Sequence, residues 1–170
     1  MNIHRYEKLW IGAAMILIVL FIGSVTYGSV VAGVAMLDDE EDVVDPDNLG
    51  EEFPEPGVEQ VGEDEYVVHV IAGQFFFDPG TFEPIEVPGG SEVTFKVTSP
   101  DVIHSFSIVG TNANTMVIPG EVASVTVETP DVEEEYRYGI LCNEYCGANH
   151  HNMEGELLVV PSDEFELEDE

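Results

Sequence analysis

Basic residues are almost missing from this chain: four Lys and Arg stand against 35 Asp and Glu among 170 residues, a formal charge of −31. A phosphate backbone is gripped through Lys and Arg, so nucleic acid is excluded as a partner. There is no phosphate-binding glycine loop, no dinucleotide fingerprint and no internal repeat. A Cys-x-x-Cys-His haem attachment is also absent, and with it any fused c-type cytochrome domain. Only two cysteines occur, Cys142 and Cys146, and the single Trp is at position 10.

Between Leu9 and Leu37 the missing residues are the charged ones: no Asp, Glu, Lys or Arg occurs there. About 20 apolar residues suffice for a helix to cross hydrocarbon, whereas the apolar part of a cleaved signal runs to roughly 7–15. Residues 9–37 are therefore expected to be one transmembrane helix. Arg5 and Lys8 precede it and "DDEEDVVDPD" follows. Positive flanks stay cytoplasmic, so residues 1–8 are placed inside and residues 38–170 outside the cell, in an oxidising compartment.

Residues 38–65 hold 14 of the acids together with Pro46, Pro54 and Pro56, and they read as an extended acidic linker. A globular domain is expected over 66–161, followed by an acidic tail at 162–170. Within the domain the apolar period is two. "YVVHVIA" (66–72), "EVTFKVT" (92–98), "VIHSFSIV" (102–109), "VASVTVE" (122–128), "YRYGILC" (136–142) and "GELLVV" (155–160) are short and rich in β-branched and aromatic residues. Turn signals separate them at Asp78-Pro79-Gly80, Pro88-Gly89-Gly90 and Pro119-Gly120. The pattern predicts an all-β sandwich or Greek-key barrel of roughly 100 residues.

The chemistry is concentrated in "CNEYCGANHHNM" at 142–153. Two thiols, an imidazole at His150 and a thioether at Met153 form a soft donor set that suits copper. His104 shares strand parity with Phe106 and Ile108, which aims it at the interior, where it can supply a second imidazole. A Cys142–Cys146 disulfide is the plainer alternative, but its ring would be very small and would leave His150 and Met153 without a role. Structural zinc on Cys2His2 has no use for Met153, and a mononuclear blue copper site has no use for a second Cys. Two thiolates bridging two copper ions, with one His on each, use the whole set. The shared electron then changes each bond length little on transfer.

On "IEVPGGSEVTFKVTSPDVIHSFSIVGTNANTMVIPGEVASVTVETP" and "YGILCNEYCGANHHNMEGELLVV" the domain resembles subunit II of haem-copper cytochrome c oxidases, with the single helix of the short form found in B-type enzymes. The resemblance implies a cupredoxin-like fold carrying the dinuclear copper centre CuA. Cys142 and Cys146 match its bridging thiolates, His104 and His150 its imidazoles, Met153 its weak axial sulfur, and Glu144 the residue whose backbone carbonyl approaches the second copper. In many two-helix subunits the side chain at the position of Glu144 also helps bind magnesium at the boundary with the catalytic subunit. His151 falls outside the family spacing and is expected at the surface; His4 and His69 are expected to be ordinary residues. Implied partners are the membrane, oxidase subunit I and an electron donor, either cytochrome c or a blue copper protein. "GQFFFDPG" occupies the region where relatives carry an aromatic stretch over CuA, so Phe75, Phe76 and Phe77 either admit electrons or fill the core and the pocket rim. The glycines of the helix, Gly12, Gly23, Gly28 and Gly33, allow close packing against subunit I. Other bearers of such a site are a nitric-oxide reductase subunit and a membrane-anchored copper carrier.

Acid spread through the domain as well as its ends suggests a very saline setting, where screening lengths shrink from about 10 Å at 0.1 M salt to about 3 Å at 1 M. The melting temperature should therefore climb as KCl is raised to molar levels. A Tm indifferent to salt would refute self-repulsion as a force in this fold.

Overall fold

The computed structural model describes residues 4–30 and 43–167. The chain divides into two compact units, Met1–Met36 and Leu37–Glu170. In the first, α1 (Arg5–Val30) runs for 26 residues, about 39 Å at 1.5 Å per residue, against a hydrocarbon thickness of about 30 Å. Within Arg5–Gly28, an 18-residue window reaches a mean hydropathy of 2.4. Leu9, Met15, Leu20 and Phe21 are all exposed, so the helix is apolar on every side and suits lipid rather than water. The Thr26 hydroxyl donates to the Ile22 carbonyl at 2.9 Å, which satisfies it within the helix. Residues 31–37 of the expected anchor and 38–42 of the expected linker lie outside the described residues.

The second unit is a β-sandwich. In chain order its strands are β1 (Gly57–Gly62), β2 (Glu65–Gly73), β3 (Phe76–Asp78), β4 (Ile85–Pro88), β5 (Glu92–Thr98), β6 (His104–Ile108), β7 (Asn114–Val117), β8 (Ala123–Glu128), β9 (Tyr136–Leu141) and β10 (Glu154–Val160). One sheet has the order β1-β2-β5-β8 with β3 attached to β2, and the other β4-β10-β9-β6-β7. Pairing is antiparallel except for β2 with β5 and β4 with β10. Alternation drives the packing: Tyr66, Val68, Val70 and Ala72 of β2 and Val93, Phe95 and Val97 of β5 are buried between the sheets. The rings of Phe77 and Phe95 both meet Phe106 there, at centroid distances of 5.6 and 5.2 Å.

The six strands expected from sequence are present. β1, β3, β4 and β7 are the additions, and three of them span only three or four residues, too short for an alternation to register. β1 is masked differently, by the acidic composition around it.

The expected linker is corrected from Val43 onward. Its charges face outward, but its few apolar residues are anchors. Val44, Leu49 and Phe53 are buried together against Ile71 and Val122, on the face of β2 opposite the main core. α2 (Leu49–Glu52) carries one of them, the Val44 amide donates to the Gly120 carbonyl at 3.1 Å, and the Phe53 ring meets His69 edge-on at 5.5 Å. Burial lowers the pKa of His69; Glu59 opposes this and Lys96 adds to it. β1 then pairs with β2 from Gly57↔His69 to Gly62↔Glu65. The domain thus begins well before residue 66. At the other end Phe165 of the acidic tail packs on Tyr66, ring to ring at 5.5 Å.

A fragment starting at residue 66 loses β1 and uncovers Ile71 and Val122. It should melt at least about 10 °C below a fragment starting at residue 43, since 1 kcal/mol shifts a domain of this size by roughly 4–8 °C. Equal melting would restore the linker reading.

Candidate metal centre

The site is built where two neighbouring strands end together. β6 and β9 pair antiparallel, with Ser107 opposite Leu141 and Ile108 opposite Ile140. The first residue of β6, His104, therefore lies at the same end of the sheet as Cys142, which follows β9 and is 38 positions away in sequence. The chain then loops to β10 through a 3-10 turn, His150–Asn152, so that Met153 arrives beside its starting point. The Cys142 amide donates to the Met153 carbonyl at 3.4 Å and the His150 amide to the Gly147 carbonyl at 3.1 Å. The Asn143 amide donates to the Ser105 hydroxyl, which fastens the front of the loop to β6.

Ligand-type atoms of His104, Cys142 and Cys146 lie within 4.8 Å of one another, and all three residues are buried. The Cys142 sulfur is 3.9 Å from His104 Nδ1 and 4.0 Å from the Cys146 sulfur. Both thiols are free, as a metal centre requires. Cys146 Sγ in turn lies 3.5 Å from His150 Nδ1 and 3.6 Å from Met153 Sδ, while the Glu144 carbonyl oxygen is 3.2 Å from Cys142 Sγ. Met153 is buried and His150 partly so; the side chains of Glu144 and His151 are exposed. Every residue singled out as a donor from the sequence is thus in one neighbourhood, and His151 stays outside it.

Asp101 orients His104. Its Oδ1 lies 2.8 Å from His104 Nε2, so Nε2–H donates to the carboxylate and Nδ1 is turned toward the Cys142 sulfur. A ligating histidine is commonly held in this way, with its outer nitrogen bound to a carboxylate. Burial pushes the Asp101 carboxyl up, but the hydrogen bonds it accepts from His104, Val102 and Gln74 outweigh this and keep it below the ordinary carboxylate value. The thiol of Cys146 is pushed up, first by burial and next by the neighbouring Cys142. Two sulfurs in a dry site disfavour carrying charge together unless a cation joins them. The residues present fit a soft metal for that reason: sulfur and imidazole donors converge, and the water that would otherwise solvate two thiolates is excluded.

Sequence reasoning missed Asp101, Ser105 and Gln74 as supports of the site. Asp101 is three residues before His104 inside "SPDVIHSF", and that short spacing was the only available signal. The phenylalanines divide their tasks. Phe77 is fully buried in the main core, Phe75 packs against that core while partly exposed, and Phe76 meets the exposed Phe82 at 6.0 Å.

A β-sandwich with a buried imidazole and two free thiols at one end of its second sheet is a cupredoxin-like metal domain. Residues 72–160 match the family described as cytochrome c oxidase subunit II, periplasmic domain. The chain is 43% identical over 165 residues to cytochrome c oxidase subunit 2 of Thermus thermophilus, covering 92% of this chain and 93% of that one. A heme-copper oxidase subunit 2 of Aeropyrum pernix is 37% identical over 112 residues, which is 61% of this chain and 47% of the relative. Among solved structures, a chain of a heme-copper terminal oxidase dimer superposes with a TM-score of 0.72 at 30% identity, covering 92% of this chain and 99% of its own. The chain belongs to the cytochrome c oxidase subunit II family.

Because burial and the sulfur neighbour hold Cys146 in its thiol form, Cys146 of the metal-free protein, followed by peptide mapping, should react with iodoacetamide at neutral pH more slowly than an exposed cysteine, whose thiol titrates near 8.5. The rate should climb as pH is raised into the alkaline range. Fast alkylation at pH 7 would contradict the closed site.

Proposed function

We propose that this chain is the electron-accepting subunit of a haem-copper terminal oxidase and that it holds a dinuclear copper centre. The observation that carries the reading is the convergence of His104, Cys142 and Cys146 in a chain 43% identical to a cytochrome c oxidase subunit 2. Cys142 and Cys146 would bridge the two ions, His104 and His150 would each bind one through Nδ1, and Met153 Sδ and the Glu144 carbonyl would complete the sets. Bound there, copper takes up and gives up one electron at a time.

The chain's own part is positional. Asp101 fixes the His104 ring, the Ser105 hydroxyl holds the loop at Asn143, and the apolar floor under the loop keeps water from the sulfurs. Proteins tune such centres through this outer shell and through burial. Electrons pass on to a haem-bearing subunit I, where oxygen is reduced. α1 anchors the domain, and the charges flanking it put the domain on the outer face of the membrane. The exposed Glu144 carboxylate is available to a magnesium ion whose other ligands come from subunit I. The donor is a cytochrome c or a small blue copper protein.

The test is made on the purified complex. His104→Ala should cut oxygen consumption supported by the protein donor by at least about 100-fold, the upper range for losing merely an outer-shell partner of a metal ligand. A small reductant able to reach the haem directly should still support turnover. Undiminished turnover from the protein donor in this variant would contradict the proposal.

A further inference from the structure

One residue of the first sheet touches both halves of the metal centre. Gln74 lies in the short connection between β2 and β3. Its backbone amide donates to Asp101 Oδ2 at 2.7 Å, and the other oxygen of that carboxylate takes the Nε2 proton of His104 at 2.8 Å. Its side-chain amide donates to the Cys146 carbonyl. A single side chain and its own peptide therefore connect the histidine-bearing strand to the thiol-bearing loop.

The loop is shaped to make this contact. Gly147, next to Cys146, has φ +136, in a region that residues with a side chain rarely adopt. A Cβ there would come within 2.9 Å of Gln74 Nε2 and 3.1 Å of the Phe75 ring. The glycine lets the backbone settle directly on Gln74 and Phe75, and that approach presents the Cys146 carbonyl to the amide. Gln74 is exposed, so its hydrogen bond competes with water and is held by this close approach rather than by burial.

We propose that Gln74 is a positioning residue for the metal centre, a clamp that sets the Cys146 sulfur relative to His104 by hydrogen-bonding the Cys146 carbonyl and the Asp101 carboxylate together. The peptide it holds carries the sulfur that lies 4.0 Å from Cys142 Sγ and 3.5 Å from His150 Nδ1. Releasing that peptide lets the sulfur turn away from both. The inference rests on the copper reading given above.

Two variants separate the clamp from general stability. Gln74→Met keeps the length and removes the donor; Gln74→Glu keeps the shape and sets a carboxylate against the carbonyl. Both retain the backbone bond to Asp101. The full chain in detergent is loaded with copper, and three quantities are read: the rate of copper loss to a chelator, the copper hyperfine splitting by EPR, and the Tm of the metal-free form. Copper loss should be about tenfold faster in both variants, within the range for outer-shell partners of metal ligands. The hyperfine splitting should change, and the metal-free Tm should stay within a few degrees of wild type. Unchanged splitting and release overturn the proposal, as does faster release that merely follows a fall in metal-free Tm. A wild-type chain that takes up no copper overturns the copper reading itself, whereas a wild type that loads normally beside unaltered variants overturns only the role of Gln74.

Discussion

The pairing of β6 with β9 is the contact on which the site depends. It brings the start of one strand and the end of the other to one end of the second sheet, and so closes the 38-residue separation between His104 and Cys142. β10 pairs with the other edge of β9, from Glu154↔Leu141 to Val159↔Tyr136. The loop carrying Cys146 and His150 is thereby pinned at both ends. Ladder hydrogen bonds and the Phe77–Phe106–Phe95 core beneath them make this end of the sheet rigid, which suits a centre that must change its electron count with little rearrangement.

Burial and chemistry pull against each other in the metal-free chain. Cys142, Cys146, Met153 and His104 are all nearly inaccessible, and a dry pocket disfavours charged sulfur. Asp101 provides fixed negative charge behind His104 and, through its contact with Nε2, orients the ring. A bound metal ion offsets the penalty on the Cys146 thiol, so metal binding and proton release are coupled.

Much of this was legible in the residues. The two-residue period between 66 and 160 is a direct image of strands whose faces differ in burial, and the parity of His104 with Phe106 and Ile108 gave its inward direction. The ligand spacing in "CNEYCGANHHNM" pointed to a soft-metal site because those residue types have no better shared use. What stayed hidden has a physical cause. Between 43 and 65 the acids outnumber the anchors, and burial of Val44, Leu49 and Phe53 rests on a face of the first sheet that no local pattern reveals. Asp101 and Gln74 act through hydrogen bonds across elements, 27 positions apart in sequence in their own case, and such contacts leave no periodicity.

The central claim is that two thiolates and two imidazoles hold a pair of copper ions sharing one electron. The most direct measurement is the EPR spectrum of the copper-loaded full chain, with copper counted per protein. Two ions per chain and a seven-line hyperfine pattern are the predicted result. One ion with a four-line pattern would contradict the account.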